Sequence, residues 1–297
     1  MRHLLFAALI CGGMATRSAA QQVPARDLLD FPIGSFAEPA ALSMRLPSGL
    51  WNPAAVALAQ SERMVFGVAA LNSPIEQGVS AQLATASFWI PQQAVVTASI
   101  ARASVTDLVR TETDPQSVGA EIPYSTSIYS LGISRRFAGL SAGVAARMRT
   151  GTADYIQRSA FSLDAGLVAD RVFGSPVRIA ASTFLLSPAR SRERPTILGA
   201  ADLPVFTRDS TMQVRGGVAY SATDGRGRER YLFGSIRYAS LEARGGMAQV
   251  SEFGASSNHL RLGLDMQYAR YAVAIAREEQ GASLGAVYQF MLTVVFP

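Results

Sequence analysis

The chain has almost no cysteine, and it has no lysine at all. Its one cysteine, Cys11, lies near the amino terminus, and all 27 basic residues are arginines. A disulfide framework and a cysteine-based metal site are therefore excluded for the rest of the chain. The sequence also contains no histidine–carboxylate cluster typical of a transition-metal site and no glycine-rich phosphate loop between a strand and a helix, so no cofactor is expected.

Long hydrophobic runs are also missing. Although 49% of the residues are hydrophobic, no stretch after residue 20 approaches the roughly twenty uninterrupted apolar residues that a membrane-spanning helix requires. This excludes a helical membrane protein.

Residues 1–20 have the composition of a secretory signal peptide. A charged start is followed by an apolar run at residues 4–10 and by small residues that end at Ala20. We predict cleavage after Ala20, which leaves 25 arginines against 22 acidic residues and a net charge of +3. A nucleic-acid partner is not expected at so mild a charge. Lipidation at Cys11 is the alternative, which the bulky Ile10 disfavours.

What the sequence does contain is regular alternation of apolar and polar residues. Over residues 259–268 the apolar side chains fall on one face of an extended chain, as Leu260, Leu262, Leu264, Met266 and Tyr268. Because side chains in a strand alternate between faces, this contrast requires an apolar environment on one side and water on the other. A transmembrane β-barrel supplies both environments. The same pattern recurs over residues 140–149 and 160–170.

Alternation and turn signals together predict about fourteen strands. Most are close to the roughly nine to eleven residues that a tilted strand needs to cross a bilayer. They span residues 64–71, 81–90, 94–104, 127–137, 140–149, 160–170, 177–186, 197–206, 212–220, 230–238, 241–250, 259–268, 271–277 and 283–296. The sequence therefore predicts an all-β fold, a transmembrane antiparallel β-barrel of about 14 strands. The register within residues 80–104 stays open, because the apolar residues of the second strand are divided between its two faces.

The predicted connections alternate in length. Some are short, at residues 91–93, 138–139, 239–240 and 269–270, and those between them are mostly longer and polar, at 105–126, 150–159, 187–196, 221–229 and 251–258. Tight periplasmic turns and longer extracellular loops are typical of outer-membrane barrels, whereas a soluble β-sandwich needs no such difference. We therefore predict a location in the bacterial outer membrane, with both termini on the periplasmic side.

Aromatic residues gather at the predicted periplasmic rim. They suit a lipid–water boundary, although any exposed strand end also carries such residues, and they are Phe137, Tyr238, Tyr268, Tyr271 and Phe296. The last strand presents Tyr288, Phe290 and Phe296 on one face, which resembles the carboxy-terminal signal read by the barrel assembly machinery. Pro297 after the last phenylalanine departs from that signal.

The chain divides into a signal peptide at residues 1–20, a hatch or plug segment at 21–62 and a transmembrane β-barrel at 63–297. The hatch has no clean strand alternation, so we place it in the lumen or at the periplasmic mouth. Within the hatch, residues 50–59 predict a short helix. Asn52 is its cap, and Pro53 takes the first helical position, where its missing N–H has no consequence.

The same stretch of the hatch resembles a known family. Trp51, Asn52, Pro53 and Ala54, just before the first barrel strand, are similar to the Asn-Pro-Ala motif of FadL-type long-chain fatty acid transporters. They are closer still to the shorter PorV/PorQ branch, which is associated with type IX secretion. Ala55 stands where the family often has glycine, and the mature chain is short for a fatty acid transporter.

The resemblance implies a fourteen-stranded barrel with an amino-terminal hatch. In the transporters such a hatch holds a lipophilic ligand that leaves laterally through a kinked strand, and in the secretion branch the barrel docks exported proteins or the translocon. For Asn52 and Pro53, a helix start with no further role is the alternative.

Nine charged residues fall on the predicted inward faces of strands. Since an ionised group that faces lipid is strongly destabilising, they line water or pair with each other and with the hatch. They either attract anionic head groups or carboxylates, or form a salt-bridged plug that holds the barrel shut. The nine are Arg147, Arg149, Asp164, Asp170, Arg178, Arg215, Arg237, Arg261 and Asp265. Two basic stretches, 191–194 and 224–230, are predicted extracellular loops that contact lipopolysaccharide phosphates or end in solvent.

His259 is the only histidine that follows the predicted signal peptide. Outer-membrane phospholipases use a histidine–serine pair on strands, but a lone histidine at the start of a strand is more often a polar rim residue, so no enzymatic activity is expected. The sequence favours a passive channel or transporter for small lipophilic molecules, with a docking component of a type IX secretion or envelope assembly as the alternative. The expected partners are outer-membrane lipids and lipopolysaccharide, the barrel assembly machinery, a lipophilic small molecule and secretion-system proteins.

Overall fold

The computed structural model is a closed antiparallel β-barrel. It describes residues 22–30, 32–35, 37–45, 49–59, 63–74, 78–90, 94–106, 108–110, 119–172, 174–188, 193–209, 211–252, 254–279 and 285–296, so the predicted signal peptide lies outside the described residues. Within them fourteen strands each pair with their neighbours in the chain, and β1 closes on β14. The predicted fold is confirmed. The strands are β1 (Met64–Asn72), β2 (Val79–Ile90), β3 (Ala94–Val105), β4 (Tyr124–Phe137), β5 (Leu140–Ala153), β6 (Ile156–Ala169), β7 (Arg178–Phe184), β8 (Thr196–Arg208), β9 (Met212–Thr223), β10 (Gly227–Tyr238), β11 (Leu241–Glu252), β12 (Ala255–Tyr268), β13 (Tyr271–Glu279) and β14 (Ala286–Phe296).

Three of the predicted periplasmic connections are two-residue turns. The strands beside the first of them stay paired up to Phe137 and Leu140. The first residue of each turn is an alanine with a positive φ, 41° at Ala138, 51° at Ala239 and 50° at Ala269. A positive φ at this position belongs to the primed turns, whose twist matches that of paired strands. The connection at 91–93 lies outside the described residues.

The prediction of long extracellular loops is wrong at three hairpins. Residues 150–159 mostly extend β5 and β6, which pair as far as Ala153 and Ile156. Residues 221–229 and 251–258 likewise extend β9 to β12. Beyond the bilayer both faces of a strand are in water, so the alternation in the sequence stops while the backbone hydrogen bonds continue. The strands are therefore longer than predicted at the end of the barrel that we expect to be extracellular.

The outer wall of the barrel is apolar. On β12, Leu262, Leu264 and Met266 are 47%, 42% and 50% exposed, whereas the intervening Arg261 faces the lumen and is only 7% exposed. Large exposed apolar residues continue on the other strands, and all five rim aromatics are exposed. So extensive an apolar surface around a closed barrel requires hydrocarbon as its surroundings. The chain is an outer-membrane barrel.

The register of β2 is resolved by the structure. Leu83, Thr85 and Ser87 face inward and are buried, while Phe88 faces outward and is 45% exposed. Leu83 belongs to the same buried cluster as Leu50 of the hatch. An apolar residue on the lumen face, placed there to pack against the hatch, is what obscured the alternation.

The hatch lies inside the barrel. It contains a 3-10 turn at Asp27–Leu29 and the predicted short helix, α1 (Ala55–Ala59). α1 contacts β3, β4, β5 and β6, and Leu42 and Leu50 of the hatch are fully buried. No helix in the described part of the chain has the length and apolar character needed to cross a bilayer.

Candidate functional site

Asn52 connects two parts of the folded hatch. It is completely buried, its Nδ2 donates to the carbonyl of Ala41 at 2.7 Å, and its Oδ1 accepts the N–H of Ala54 at 3.0 Å. The second bond caps the start of α1. The first ties α1 to an earlier turn of the hatch. One side chain therefore joins two parts of the hatch, which a cap alone would not do.

Trp51 contacts both another part of the hatch and the barrel wall. Its Nε1 donates to the carbonyl of Ile33 at 2.9 Å, and its ring centroid lies 4.4 Å from that of Phe184 on β7. A buried tryptophan whose N–H is satisfied contributes a large apolar contact at no polar cost.

Glycines on the wall let the hatch approach closely. A Cβ on Gly143 of β5 would lie 2.6 Å from the carbonyl carbon of Pro53, and a Cβ on Gly151 would lie 2.1 Å from the carbonyl oxygen of Pro24. Both are distances that real Cβ atoms do not show, so β5 needs glycine at these two positions. Ser141, also on β5, donates to the carbonyl of Ala54 at 2.6 Å.

Arg147 on β5 is fully buried between wall and hatch. It forms an ion pair with Asp164 on β6, and it donates to the carbonyl of Leu50 in the hatch. Its guanidinium also lies 5.1 Å from the ring centroid of Phe184. Breaking a charge pair at this depth leaves an uncompensated buried charge, so Asp164 holds the guanidinium in place. The bond from Arg147 to the carbonyl of Leu50 then attaches the hatch to the wall.

Asp164 also binds backbone N–H groups where the pairing of two wall strands is interrupted. β6 and β7 form a regular ladder only between Gly166–Ala169 and the facing part of β7. Beyond it, the carboxylate of Asp164 accepts the N–H groups of Leu185 and Leu186 at 2.9 and 2.8 Å. These are backbone donors that the interrupted ladder would otherwise leave unpaired.

Arg149 binds the start of the hatch. It donates to both carboxylate oxygens of Glu193 at 2.6 and 3.0 Å, and to the carbonyls of Val23 and Pro24 at 2.8 Å each. The prediction that residues 191–194 form a basic loop tip is wrong for Glu193, which is 2% exposed in the lumen. The buried positive charge of Arg149 explains the inward position of Glu193. Residues 191 and 192 lie outside the described residues.

Charged side chains of β7 to β9 meet at Asp202. Arg178 donates to its two oxygens at 2.8 and 2.5 Å, and Arg215 donates to them at 2.8 and 2.9 Å. Two such bidentate contacts on one carboxylate fix the position of both arginines. Arg178 also lies 3.8 Å from Glu38 of the hatch.

A second group of ion pairs lies nearer the periplasmic rim. Glu242 pairs with Arg237 at 3.0 Å and with Arg244 at 2.8 Å. Asp265 pairs with Arg45 of the hatch at 2.8 Å. Together with Asp170, these groups line a cavity of about 890 Å³. We name it the inner cavity.

A second space, the outer cavity, occupies the extracellular half of the lumen and measures about 790 Å³. Asp30 of the hatch lines it and pairs with Arg226 at 2.5 Å and with Arg26 at 3.6 Å. Burial raises the pKa of Asp30 to about 7, although the two arginines oppose that shift. Of the predicted loop at 224–230, Arg226 therefore binds the hatch, and the residues from Gly227 onward belong to β10.

Arg261 lies at the wall of the outer cavity. It donates to both oxygens of Glu229, at 2.7 and 2.8 Å, and to both oxygens of Glu278, at 2.9 and 3.1 Å. His259, predicted as a rim residue, faces the lumen beside it and lies between Ser257 and Glu278.

Sequence reasoning predicted Asp164 and Asp265 but missed other acidic partners of these arginines, among them Asp202 and Glu38. Asp202 is inward by parity with the buried Leu198 and Ala200 on β8, so the alternation contained the signal for it. Glu38 carries no such signal, because it lies in the irregular hatch. It lines both cavities and therefore lies between them.

The comparisons with known proteins concern the fold. No protein-family model matches the sequence, and no curated protein matches it. Among solved structures, the monoaromatic hydrocarbon channel CymD aligns with a TM-score of 0.58 at 10% identity, over 93% of this chain and 98% of CymD. The toluene transporter TodX of P. putida aligns with a TM-score of 0.56 at 8% identity, over 84% of this chain and 94% of TodX. At these identities the likeness shows a shared barrel fold.

Proposed function

We propose that the protein is a passive channel that admits small lipophilic molecules along the barrel axis. The observation that supports this most directly is the pair of cavities, about 790 and about 890 Å³, on either side of Glu38. Ligand pockets for small molecules measure about 300–1,000 Å³. Each cavity has room for a compact ligand, and the hatch turn that carries Glu38 separates them.

The carboxylate of Glu38 is only weakly paired with the wall. Its carboxylate lies 3.8 Å from Arg178 and 4.0 Å from Arg244, at the limit of an ion pair. The hydroxyl of Tyr231 donates to the carbonyl of Ala37 at 2.8 Å. A small movement of this turn joins the two cavities, while Asn52 and Arg147 keep the rest of the hatch in place.

Both cavities offer an apolar side. The outer cavity is lined by Leu28, Leu29 and Leu198, and the inner cavity by Val65 and Met291. A lipophilic molecule passing the turn of Glu38 therefore leaves one apolar surface for another. CymD and TodX, which have this fold, are channels for monoaromatic hydrocarbons or toluene, and we propose a ligand of similar size here.

Uptake of radiolabelled toluene tests this proposal, in reconstituted membranes whose outer leaflet is lipopolysaccharide. Glu38→Gln weakens partly buried ion pairs worth about 0.5–1 kcal/mol, so uptake is expected to rise roughly two- to fivefold. The control is Glu279→Gln, because Glu279 pairs with Arg277 at 2.6 Å on the outer face, and uptake should stay at the wild-type rate. The proposed channel function is overturned if the wild type and both variants show uptake no faster than protein-free membranes.

A docking component of the PorV/PorQ type is the second candidate. It is favoured by the ion pairs that hold the hatch at both ends of the lumen, Arg45 with Asp265 and Asp30 with Arg226. In this case the hatch is a permanent plug, and the partners are secretion-system proteins. For either function we propose that the barrel assembly machinery reads the outward face of β14, with Tyr288, Phe290 and Phe296, and that lipopolysaccharide surrounds the extracellular rim.

A further inference from the structure

Three polar side chains near the extracellular end of the lumen form a hydrogen-bonded row. Ser257 Oγ lies 2.9 Å from His259 Nε2, and His259 Nδ1 lies 3.0 Å from Glu278 Oε1. Ser257 and His259 are two residues apart on β12 and so share its lumen face, while Glu278 comes from the neighbouring β13. All three line the outer cavity. The row is therefore reachable by a molecule in that cavity.

Arg261 determines the direction of the hydrogen bonds. Its guanidinium donates to both oxygens of Glu278, which stabilises the ionised carboxylate. An ionised carboxylate only accepts, so His259 Nδ1 must carry the hydrogen that it shares with Glu278. In the neutral imidazole, Nε2 then carries a lone pair and accepts a hydrogen bond. Ser257 Oγ is the donor of that bond. A serine that donates to an imidazole held by a carboxylate is an activated nucleophile.

The row differs from the networks of Arg147 and Arg149. Arg147 and Arg149 are fully buried and bind backbone carbonyls of the hatch, whereas the side chain of His259 is 14% exposed and faces open space. Glu278 shares Arg261 with Glu229, so one guanidinium faces two carboxylates beside His259. The row therefore lies at the open cavity rather than between the wall and the hatch.

We propose that Ser257 and His259 form a hydrolytic site for carboxylic esters with a small apolar acyl group. Ser257 is the nucleophile, His259 is the general base, and Glu278 is a positioning residue. The acyl group lies against the apolar part of the outer cavity, which includes Leu28, Leu29 and Leu198. This activity is independent of whether any molecule crosses the barrel.

The reaction is a double displacement. Ser257 Oγ attacks the ester carbonyl carbon while its proton moves to His259 Nε2, and the imidazolium is stabilised by Glu278. The carbon–oxygen bond to the alcohol breaks, and the leaving oxygen takes the proton from Nε2, which leaves an acyl ester on Ser257. Water then attacks this ester and gives its proton to Nε2. That proton returns to Ser257 Oγ as the carboxylic acid departs, so one ester and one water yield one acid and one alcohol.

Two assays on the purified, folded barrel in detergent test the proposal, namely covalent labelling by a fluorophosphonate and hydrolysis of p-nitrophenyl butyrate. Wild type is expected to be labelled at Ser257 and to hydrolyse the ester, and Ser257→Ala is expected to lose the label and at least about tenfold of the rate. The matched control is Ser256→Ala, because Ser256 is the exposed neighbour of Ser257 on β12 and should keep both activities. Heat-modifiable mobility on SDS gels establishes that each variant is folded.

The role proposed for Glu278 requires a measurement that a purely structural role would leave unchanged. Glu278→Gln should slow labelling and change its dependence on pH, because a negative charge no longer lies beside the imidazole, and Glu278→Asp should partly restore both. Absence of fluorophosphonate labelling at Ser257 in the folded wild type, or ester hydrolysis unchanged by Ser257→Ala, overturns the proposal.

Discussion

Gly166 of β6 and Asn52 of the hatch are in direct contact, because a Cβ on Gly166 would lie 2.0 Å from Asn52 Oδ1. That oxygen is already bound to the N–H of Ala54, and the amide nitrogen of the same side chain is bound to Ala41. The side chain of Asn52 therefore cannot move away from an added Cβ without losing these hydrogen bonds. Glycine at this position of the wall is required for space, since its backbone is ordinary β-strand.

Gly166→Ala is expected to displace the hatch or strain β6, with a loss of about 1–3 kcal/mol in the free energy of unfolding. Urea unfolding in detergent measures that loss, and limited proteolysis of the hatch reports its displacement. Gly234→Ala on β10 is the control, because the nearest atom to its added Cβ lies at 3.4 Å. Equal stability of the two variants would show that the hatch does not depend on this contact.

Two substitutions of Trp51 separate its contributions. Trp51→Phe keeps the ring contact with Phe184 but loses the bond from Nε1 to Ile33, so we expect a loss of about 1 kcal/mol. Trp51→Ala removes the ring as well and should lose about 3–5 kcal/mol. Both are measured from urea unfolding midpoints in detergent. A large loss in the phenylalanine variant would mean that the hydrogen bond, rather than the ring, holds the hatch.

Charge on the outer wall tests the orientation of β12. Leu262 lies near the middle of this strand and faces outward, so Leu262→Arg should destabilise the barrel in lipid by about 2–4 kcal/mol. Gln267→Arg on the same strand adds the same charge facing the inner cavity and should be tolerated. Folding titrations in lipid vesicles compare the two, and the reverse order would place β12 in the opposite orientation.

The stability of the protein should depend on pH through Asp30. Its folded pKa is about 7, above the ordinary value of 3.8. The folded protein therefore binds a proton more tightly than the unfolded chain, so the contribution of Asp30 to the unfolding free energy falls as pH rises from about 4 to about 7. Asp30→Asn should remove this part of the slope when unfolding is measured at about pH 5 and about pH 8.

Asp154→Asn is the control for that experiment. Asp154 pairs with Arg110 at 2.6 Å in an exposed extracellular turn, and its replacement should leave the slope between these two pH values unchanged. A wild-type slope in the Asp30→Asn variant would mean that Asp30 is already ionised in the folded barrel.

The sequence predicts the strands best where they cross the bilayer. On β12, Leu262 faces hydrocarbon and Arg261 faces the lumen, and that difference in surroundings is what produces the alternation. Beyond the bilayer the difference vanishes, so the extension of β12 to Ala255 could not be read from the pattern. Leu83 shows the same limit inside the barrel, where packing against the hatch replaces a polar residue by an apolar one.

The candidate site was predictable only one strand at a time. Parity within β12 assigns Ser257, His259 and Arg261 to one face, because they are two residues apart. Bringing Glu278 opposite Arg261 requires the register between β12 and β13, which no pattern within either strand supplies. Glu193 was beyond reach for another reason, since its position depends on the buried charge of Arg149 far away in the sequence.

The wall contacts of the hatch also constrain how the protein assembles. The hatch precedes β1 in the chain, yet Gly143, Arg147 and Gly166, which receive it, lie on β5 and β6. Those strands come much later in the chain than the hatch, so the hatch can reach its final position only after they have formed. The seam between β1 and β14 must then close around an occupied interior, and a barrel that sealed too early would be left with its own amino terminus outside.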